Sequence, residues 1–372
     1  MRILIVGAGI AGCALYRRLR SQNLSVDIIE KSSTLESEGI AICLPANAML
    51  ELKYLDLSDQ VTQYAFQVDQ VEYALSSGKT LAVASLHKAP LNIAPFVALK
   101  KDDLMSVLRE GMLDEIQLNT WPIKINQNST KAVVTLNSGE TQEYDLVVAA
   151  DGIRSGVREM VQPDVPLRSH QITNWRFIAQ KPKPGFQPIY YIGHDSAFMI
   201  YPISESEVYC YGQINDENGE FSSKPSIEAI TSIFENYDTP VAQCVKGLNE
   251  EQKIVRGQLK SVQNTDSVFD RVVLVGDALH GCPPSLQQGV GMSLEDINCL
   301  ADNLEHSPLE VALDNYKKIR SERVAWVVNE SNKIIKLATL GRSPIGRLIR
   351  NNMIRLKGPA NVVSWCKLLK EL

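Results

Sequence analysis

The opening residues, MRILIVGAGIAGCAL, place the tightest constraint on the fold. Ile3-Leu4-Ile5-Val6 is a short unbroken apolar run, the pattern of a parallel strand buried on both faces. Gly7-Ala8-Gly9-Ile10-Ala11-Gly12 follows at once, and Cys13, Ala14, Leu15 and Leu19 then fall at helical spacing through about Ser21. A second strand, Val26-Asp27-Ile28-Ile29, ends in Glu30. The glycines have mechanical roles: Gly7 allows the tight turn, Gly9 lets backbone approach a pyrophosphate, and Gly12 lets the helix pack close to the strand. The helix N-terminus adds N–H donors. Glu30 lies 18 residues after Gly12, near the ~20 expected of a carboxylate that accepts ribose hydroxyls. A lone GxGxxG would leave a bare glycine-rich turn as the alternative. With strand, helix and terminal acid in place, the sequence predicts dinucleotide binding, and the acid favours the free 2′-OH of FAD or NAD.

Further along, the pattern switches to period two. Segments near 66–75 and 79–86 flank Ser76-Ser77-Gly78, and segments near 131–136 and 141–149 flank Asn137-Ser138-Gly139, both hairpin signals. Lys101 to Leu108 has helical spacing between them. A β-rich stretch covers 171–180, 188–193, 197–203 and 207–214, then helices run from Ser223 to about Val245. Two more buried strands, near 145–149 and 271–275, each end in an acidic turn, and the remainder reads as helical.

This order predicts an α/β fold with a discontinuous dinucleotide-binding, Rossmann-like domain at 1–65, 98–165 and 255–325. An antiparallel β-sheet substrate domain at 66–97 and 166–254 is threaded through it, and a basic helical segment, 326–372, follows.

The strand Val272-Val273-Leu274-Val275 runs into Gly276-Asp277-Ala278-Leu279-His280, which puts Asp277 at the carboxyl edge of the sheet, where ligands of open α/β folds bind. In the Gly281–Gly291 stretch, prolines stiffen the backbone and glycines permit close approach to a flat ring. Asp145-Leu146-Val147-Val148-Ala149-Ala150-Asp151-Gly152 is the third strand-to-turn element, with Ser155 a helix-cap candidate. Alternation along 207–213 sets Tyr209, Tyr211 and Gln213 on one face. With Tyr190, Phe198 and Tyr201 they predict an aromatic-lined pocket with few charges, although each aromatic taken singly reads as ordinary sheet packing.

These elements, in order and spacing, resemble the class A FAD-dependent monooxygenases of the para-hydroxybenzoate hydroxylase type. The match runs through GxGxxG with Glu30, DGxxSxxR at Asp151, Gly152, Ser155 and Arg158, and GDAxH at Gly276, Asp277, Ala278 and His280. It continues through Pro284, Gln288-Gly289, Glu295-Asp296 and Leu313, Tyr316 and Arg320. The resemblance implies a GR2-type FAD/NAD(P) fold. It assigns the FAD pyrophosphate to Gly7, Ala8, Gly9, Ile10, Ala11 and Gly12, with Glu30 and Lys31 at the adenosine ribose. Asp277 would take the ribitol, while Pro284, Gly289, Val290 and Gly291 edge the isoalloxazine. Asp151 and Arg158 would serve the pyrophosphate and nicotinamide region. Lys101 stands where the family has arginine, keeping the charge but losing the bidentate fork, and Gln287 stands where it has glycine.

The implied reaction is hydroxylation of an aromatic or polycyclic small molecule with NAD(P)H and O2 through a flavin C4a-hydroperoxide. No residue is singled out as a certain catalyst; Tyr201, Tyr209, Tyr211, Gln213 and Pro284 are the substrate-pocket candidates. His280 reads as a structural turn residue. An FAD oxidoreductase of the same fold that inserts no oxygen, such as a double-bond reductase, is the alternative. A non-catalytic flavin-binding module is a third reading.

Hydrophobic residues make up 44% of the 372 and charged residues 22%, which excludes disordered, collagen-like and disulfide-scaffold chains. Seven scattered cysteines without a CxxC pair point to a reducing compartment and no metal site. With no apolar run of ~18 residues, a cytoplasmic monomer or homodimer without nucleic-acid partners is expected. Net charge is −5, yet residues 331–372 carry nine Lys/Arg against one acid, Glu371; that tail is +8 and the rest −13. A basic tail lying on an acidic body is the favoured reading. Peripheral membrane contact through 331–372 is the less favoured one, since no heptad or aromatic interleaving accompanies the charges.

Overall fold

From Ile3 to Val6 of the first strand, side chains alternate between two buried faces, which explains why this run shows no polar position. The computed structural model describes residues 1–36, 39–163, 165–263 and 265–370, so Ser37, Glu38, Asp164, Asn264, Glu371 and Leu372 of the ranges above lie outside the described residues. Arg2–Val6 sits inside a six-stranded sheet in the order Val268–Phe269, Val272–Leu274, Leu146–Ala149, Arg2–Val6, Ser25–Ile29, Ile116–Gln117. Its pairings are parallel apart from the first, which is antiparallel. Ile3 and Ile5 pack with Leu15, Val148 and Val273 against the helices Ile10–Ser21 and Gly289–His306. Leu4 and Val6 pack on the other face with Val147, Ala149 and Leu274 beneath a three-stranded antiparallel sheet that contributes Val134 and Tyr144.

The second large sheet has seven strands in the order Val255–Ser261, Arg168–Gln180, Glu207–Asn215, Ser196–Pro202, Ile189–Ile192, Gln70–Leu75, Thr80–Ser85. One face carries Trp175, Phe177, Phe198 and Ile200 onto the helices Ser226–Phe234 and Thr239–Lys246. The opposite face carries Tyr201, Tyr209 and Tyr211. Two details differ from the sequence reading. Val255–Ser261, assigned by sequence to the nucleotide domain, pairs with Arg168–Gln180 in this sheet. Ile189–Ile192 and Gln70–Leu75 run parallel, because the latter enters from the distant first segment of the chain.

The helix Leu309–Thr339 runs unbroken through the expected boundary at 325, followed by helices Pro344–Lys357 and Ala360–Leu368. This tail does more than lie on the body. Ile335, Arg350, Ile354 and Trp365 are buried, and the Trp365 Nε1–H donates to the Leu286 carbonyl at 2.8 Å. Among the described residues no helix is long and apolar enough to cross a membrane.

Candidate active site

Three turns meet at the carboxyl edge of the six-stranded sheet, laced by backbone bonds from Gly7 N–H to Ile29 O, Ala150 N–H to Val6 O and Val275 N–H to Ala149 O. Gly7 has φ +104°, and a Cβ there would fall 2.5 Å from the Ala150 carbonyl oxygen. A Cβ on Gly12 would fall 1.8 Å from the Gly7 oxygen, so helix and turn touch through bare backbone. Gly9, the residue before the helix, has nothing within 4 Å of a Cβ position and faces open space. Glu30 braces this turn: its Oε2 accepts from the Ala8 N–H and its Oε1 from the Ser32 N–H, each at 2.8 Å. Arg109, not singled out by the sequence, donates to the Ala8 carbonyl at 2.8 Å.

In the second turn, Ser155 caps its helix by accepting from the Arg158 N–H at 2.9 Å. The Arg158 guanidinium donates to the Ala278 and Ile153 carbonyls at 2.6 and 2.7 Å, clipping the second turn to the third. Asp151 Oδ2 accepts from the Val157 N–H at 3.2 Å, while its Oδ1 is buried with no partner among the described residues. Burial pushes this carboxyl above its ordinary value.

The third turn opens with Gly276 at φ +58° and leaves Asp277 exposed. Behind it lies a buried ion network. Asp296 Oδ2 lies 2.7 Å from His280 Nε2 and accepts from the Gly276 N–H at 2.9 Å, while Oδ1 accepts from Arg320 Nε at 2.8 Å. Arg320 and Arg323 both donate to Glu295. His280 is therefore sealed behind the turn, away from any ligand.

The three turns border a cavity of about 540 Å³, a size typical of small-molecule sites. Gly9, Ile10, Ala11, Asp277, Pro284, Gly289, Val290 and Lys101 line one side, and Tyr209, Tyr211 and Gln213 line the other. Tyr201 does not reach the wall; it is fully buried beneath it, its hydroxyl 2.9 Å from that of Tyr190. Gly7, Ala8, Gly12, Glu30, Asp151, Arg158 and Gly291 stand behind the wall or along its outer edge. A Gly291 Cβ would meet Asn47 Nδ2 at 2.7 Å. Lys31 is exposed, its ammonium 5.6 Å from the centre of the Trp121 ring.

Several wall residues escaped the sequence reading: Ile40 and, in the strand Ala41–Leu44, Ala41, Ile42 and Cys43, then Met199, and Ile334, Ile335 and Ile354 of the tail. The run Ile40-Ala41-Ile42-Cys43 was the available signal for the strand. Gln287 also lines the cavity, in a left-handed conformation at φ +55°. Its Nε2 donates to the Tyr190 hydroxyl, while its Oε1 is buried without a partner among the described residues. Burial pushes the Tyr190 and Tyr201 hydroxyls well above their ordinary values and that of Tyr211 up to about 12, so all three remain O–H donors at neutral pH.

Residues 1–331 match the family described as FAD binding domain. The chain is 29% identical over 367 residues to the 2-heptyl-3-hydroxy-4(1H)-quinolone synthase of Pseudomonas aeruginosa, covering 96% of this chain and 94% of that protein. It is 26% identical over 341 residues to the aurachin C monooxygenase/isomerase of Stigmatella aurantiaca, covering 90% and 88%. Among solved structures, Klebsiella pneumoniae HpxO complexed with FAD and uric acid superposes with a TM-score of 0.89 at 20% identity, covering 100% of this chain and 97% of that one. P. aeruginosa PqsL in complex with 2-aminobenzoylacetate superposes with a TM-score of 0.81 at 20% identity, covering 97% and 99%.

Proposed function

This chain belongs to the FAD binding domain family, and from that membership we propose that it is an FAD-dependent monooxygenase that uses NAD(P)H and O2 to hydroxylate an aromatic small molecule. The observation that carries the reading is the cavity itself: glycine turn, Asp277 turn and the Pro284–Val290 segment face an aromatic sheet wall across one space.

The residues present fit FAD. Open space over Gly9 leaves room for a pyrophosphate, which the N-terminus of the Ile10–Ser21 helix would bind through backbone N–H groups. Glu30 spends one hydrogen bond per oxygen on the turn, which leaves lone pairs for the adenosine ribose, with Lys31 beside it. Asp277 would accept from the ribitol hydroxyls. Asp151 and Arg158 hold the neighbouring turn in place, and the unpartnered Asp151 Oδ1 is the acceptor a cofactor hydroxyl would satisfy. Pro284, Gly289, Val290 and Gly291 would edge the flavin ring, with Lys101 supplying positive charge to the same cavity. When bound, FAD supplies the redox chemistry, taking electrons from reduced nicotinamide and activating dioxygen. The protein orients the substrate and keeps water out.

Tyr209, Tyr211 and Gln213 would hold a planar aromatic ring, and Met199, Ile334, Ile335 and Ile354 would take an apolar substituent. An alkyl-substituted quinolone-type ring fits that division, and the similarity to the quinolone synthase supports it. The test is direct. The purified protein should carry a flavin absorbance, and a 2-alkyl-4-quinolone should accelerate aerobic NADH or NADPH oxidation with oxygen from O2 appearing in the product. Accelerated oxidation that yields only hydrogen peroxide with every quinolone tried would overturn the substrate class. A protein that binds no flavin would overturn the reaction.

A further inference from the structure

The helix Pro344–Lys357 turns its apolar side outward. Gly346, Arg350 and Ile354 are buried, whereas Ile345 is 74% exposed, Leu348 61%, Ile349 50%, Met353 37% and Leu356 85%. At 3.6 residues per turn these five fall within an arc of about 140°, a stripe of large aliphatic side chains facing away from the protein and interrupted by one polar residue, the exposed Asn352. Arg355 borders the arc and Lys357 closes the helix; neither has a carboxylate partner among the described residues. The segment 331–372 carries +8 while the rest of the chain carries −13.

That combination selects the occupant. A second copy meeting it through the same face would set the basic helix against itself, and a nucleic acid offers no acyl-like surface to cover the aliphatic stripe. An anionic lipid surface suits both features, taking apolar side chains at its acyl boundary and gaining roughly 1 kcal/mol per nearby Lys or Arg. We propose that the Pro344–Lys357 helix docks the protein on an anionic lipid surface, with Ile345, Leu348, Ile349 and Leu356 inserted and Arg355 and Lys357 at the level of the phosphates.

The inward side of the same helix supplies Arg350 and Ile354 to the cavity wall. Docking thus sets the apolar part of the cavity one helix away from the lipid, on the side from which a membrane-dissolved substrate would come. That last step rests on the proposed reaction; the docking does not.

Vesicle co-sedimentation of the purified holoenzyme tests the proposal. Binding should be strong to mixed phosphatidylglycerol and phosphatidylcholine vesicles, weak to phosphatidylcholine alone, and reduced by salt. Leu348→Ser/Leu356→Ser should lower the partition coefficient by about tenfold or more, and Arg355→Glu/Lys357→Glu by about thirtyfold or more. Both variants lie outside the cavity wall, so flavin absorbance and circular dichroism should match the parent. Equal or absent binding to the two vesicle types would overturn the proposal. So would a partition coefficient unchanged in both variants, or a dimer in sedimentation velocity that the leucine variant abolishes. Vesicle binding without substrate-driven oxygen consumption would retain the docking and reject the reaction.

Discussion

The Gln287 side-chain amide donates to the Tyr190 hydroxyl at 2.7 Å, tying the turn after Pro284 to the aromatic face of the seven-stranded sheet. Two opposing terms meet at this residue. Its left-handed backbone costs about 1 kcal/mol relative to glycine, and the hydrogen bond returns about as much. Gln287→Gly should therefore leave thermal stability nearly unchanged, whereas Gln287→Ala should lose about 1 kcal/mol. Both should retain flavin and raise KM for the aromatic substrate. Equal melting temperatures for Gln287→Ala and the parent would show that the tie carries no stability.

Asp277 stands exposed at the cavity edge and makes no side-chain bond of its own among the described residues, so its removal leaves nothing orphaned. Asp277→Ala should weaken FAD binding by at least about tenfold with the far-ultraviolet circular dichroism preserved. The ratio of absorbance at the flavin band to that at the protein band reads the outcome, and full flavin occupancy would reject the assigned ribitol contact.

The buried network behind the Asp277 turn should fail differently. Asp296→Ala leaves His280, the Gly276 N–H and the Arg320 Nε without their acceptor, and losing one member of a buried ion set costs about 3–5 kcal/mol. Denaturant unfolding of the variant checks this, and a loss below about 1 kcal/mol would mean that the network is solvated or redundant.

Acid should act on the same groups. Burial raises the Asp296 carboxyl, but His280 and Arg320 pull it down further, and the net direction is down. Glu295 is likewise raised by burial, and Arg323 and Arg320 bring it below its ordinary value. A carboxylate whose folded value is lowered adds stability above its unfolded value and loses it as pH falls through the folded one. The melting temperature should thus fall steeply below about pH 4, and less steeply in Glu295→Gln. Identical acid profiles would place the acid-sensitive groups elsewhere.

Trp365 connects the last helix to the turn beside the cavity. Trp365→Phe should lose the bond to the Leu286 carbonyl and part of the ring contact, about 1–2 kcal/mol. Trp365→Ala also empties a fully buried position against Phe96 and should lose about 3–5 kcal/mol. Guanidinium unfolding midpoints separate the two, and similar losses would indicate that the indole packs without anchoring the turn.

Much of the nucleotide-binding half is legible because its rules are local. A strand buried on both faces has to read Ile3-Leu4-Ile5-Val6, and a helix that touches its own turn at Gly12 tolerates no side chain. The substrate half is less so. Period-two alternation marks Tyr209 and Tyr211 as sharing a face, but cannot separate them from Tyr201, whose neighbours across the sheet bury it completely. Arg109 is invisible for another reason: its partner is a backbone carbonyl about a hundred residues away, and nothing in a helical arginine announces that. Val255–Ser261 lacks any local cue for the sheet it joins, since strand pairing is settled by the whole fold. The outward apolar stripe at 345–356 hides in plain composition, because periodicity shows that a helix is two-sided and not which side is wet.

The match to the family ends at residue 331, yet Ile334, Ile335, Leu337, Ile354 and Ala360 close the ceiling over the cavity. Part of the chamber's shape is thereby written beyond the stretch that the family shares. Exchanging the last forty residues between homologues would thus remodel one wall of the chamber and leave the three turns at the sheet edge as they are.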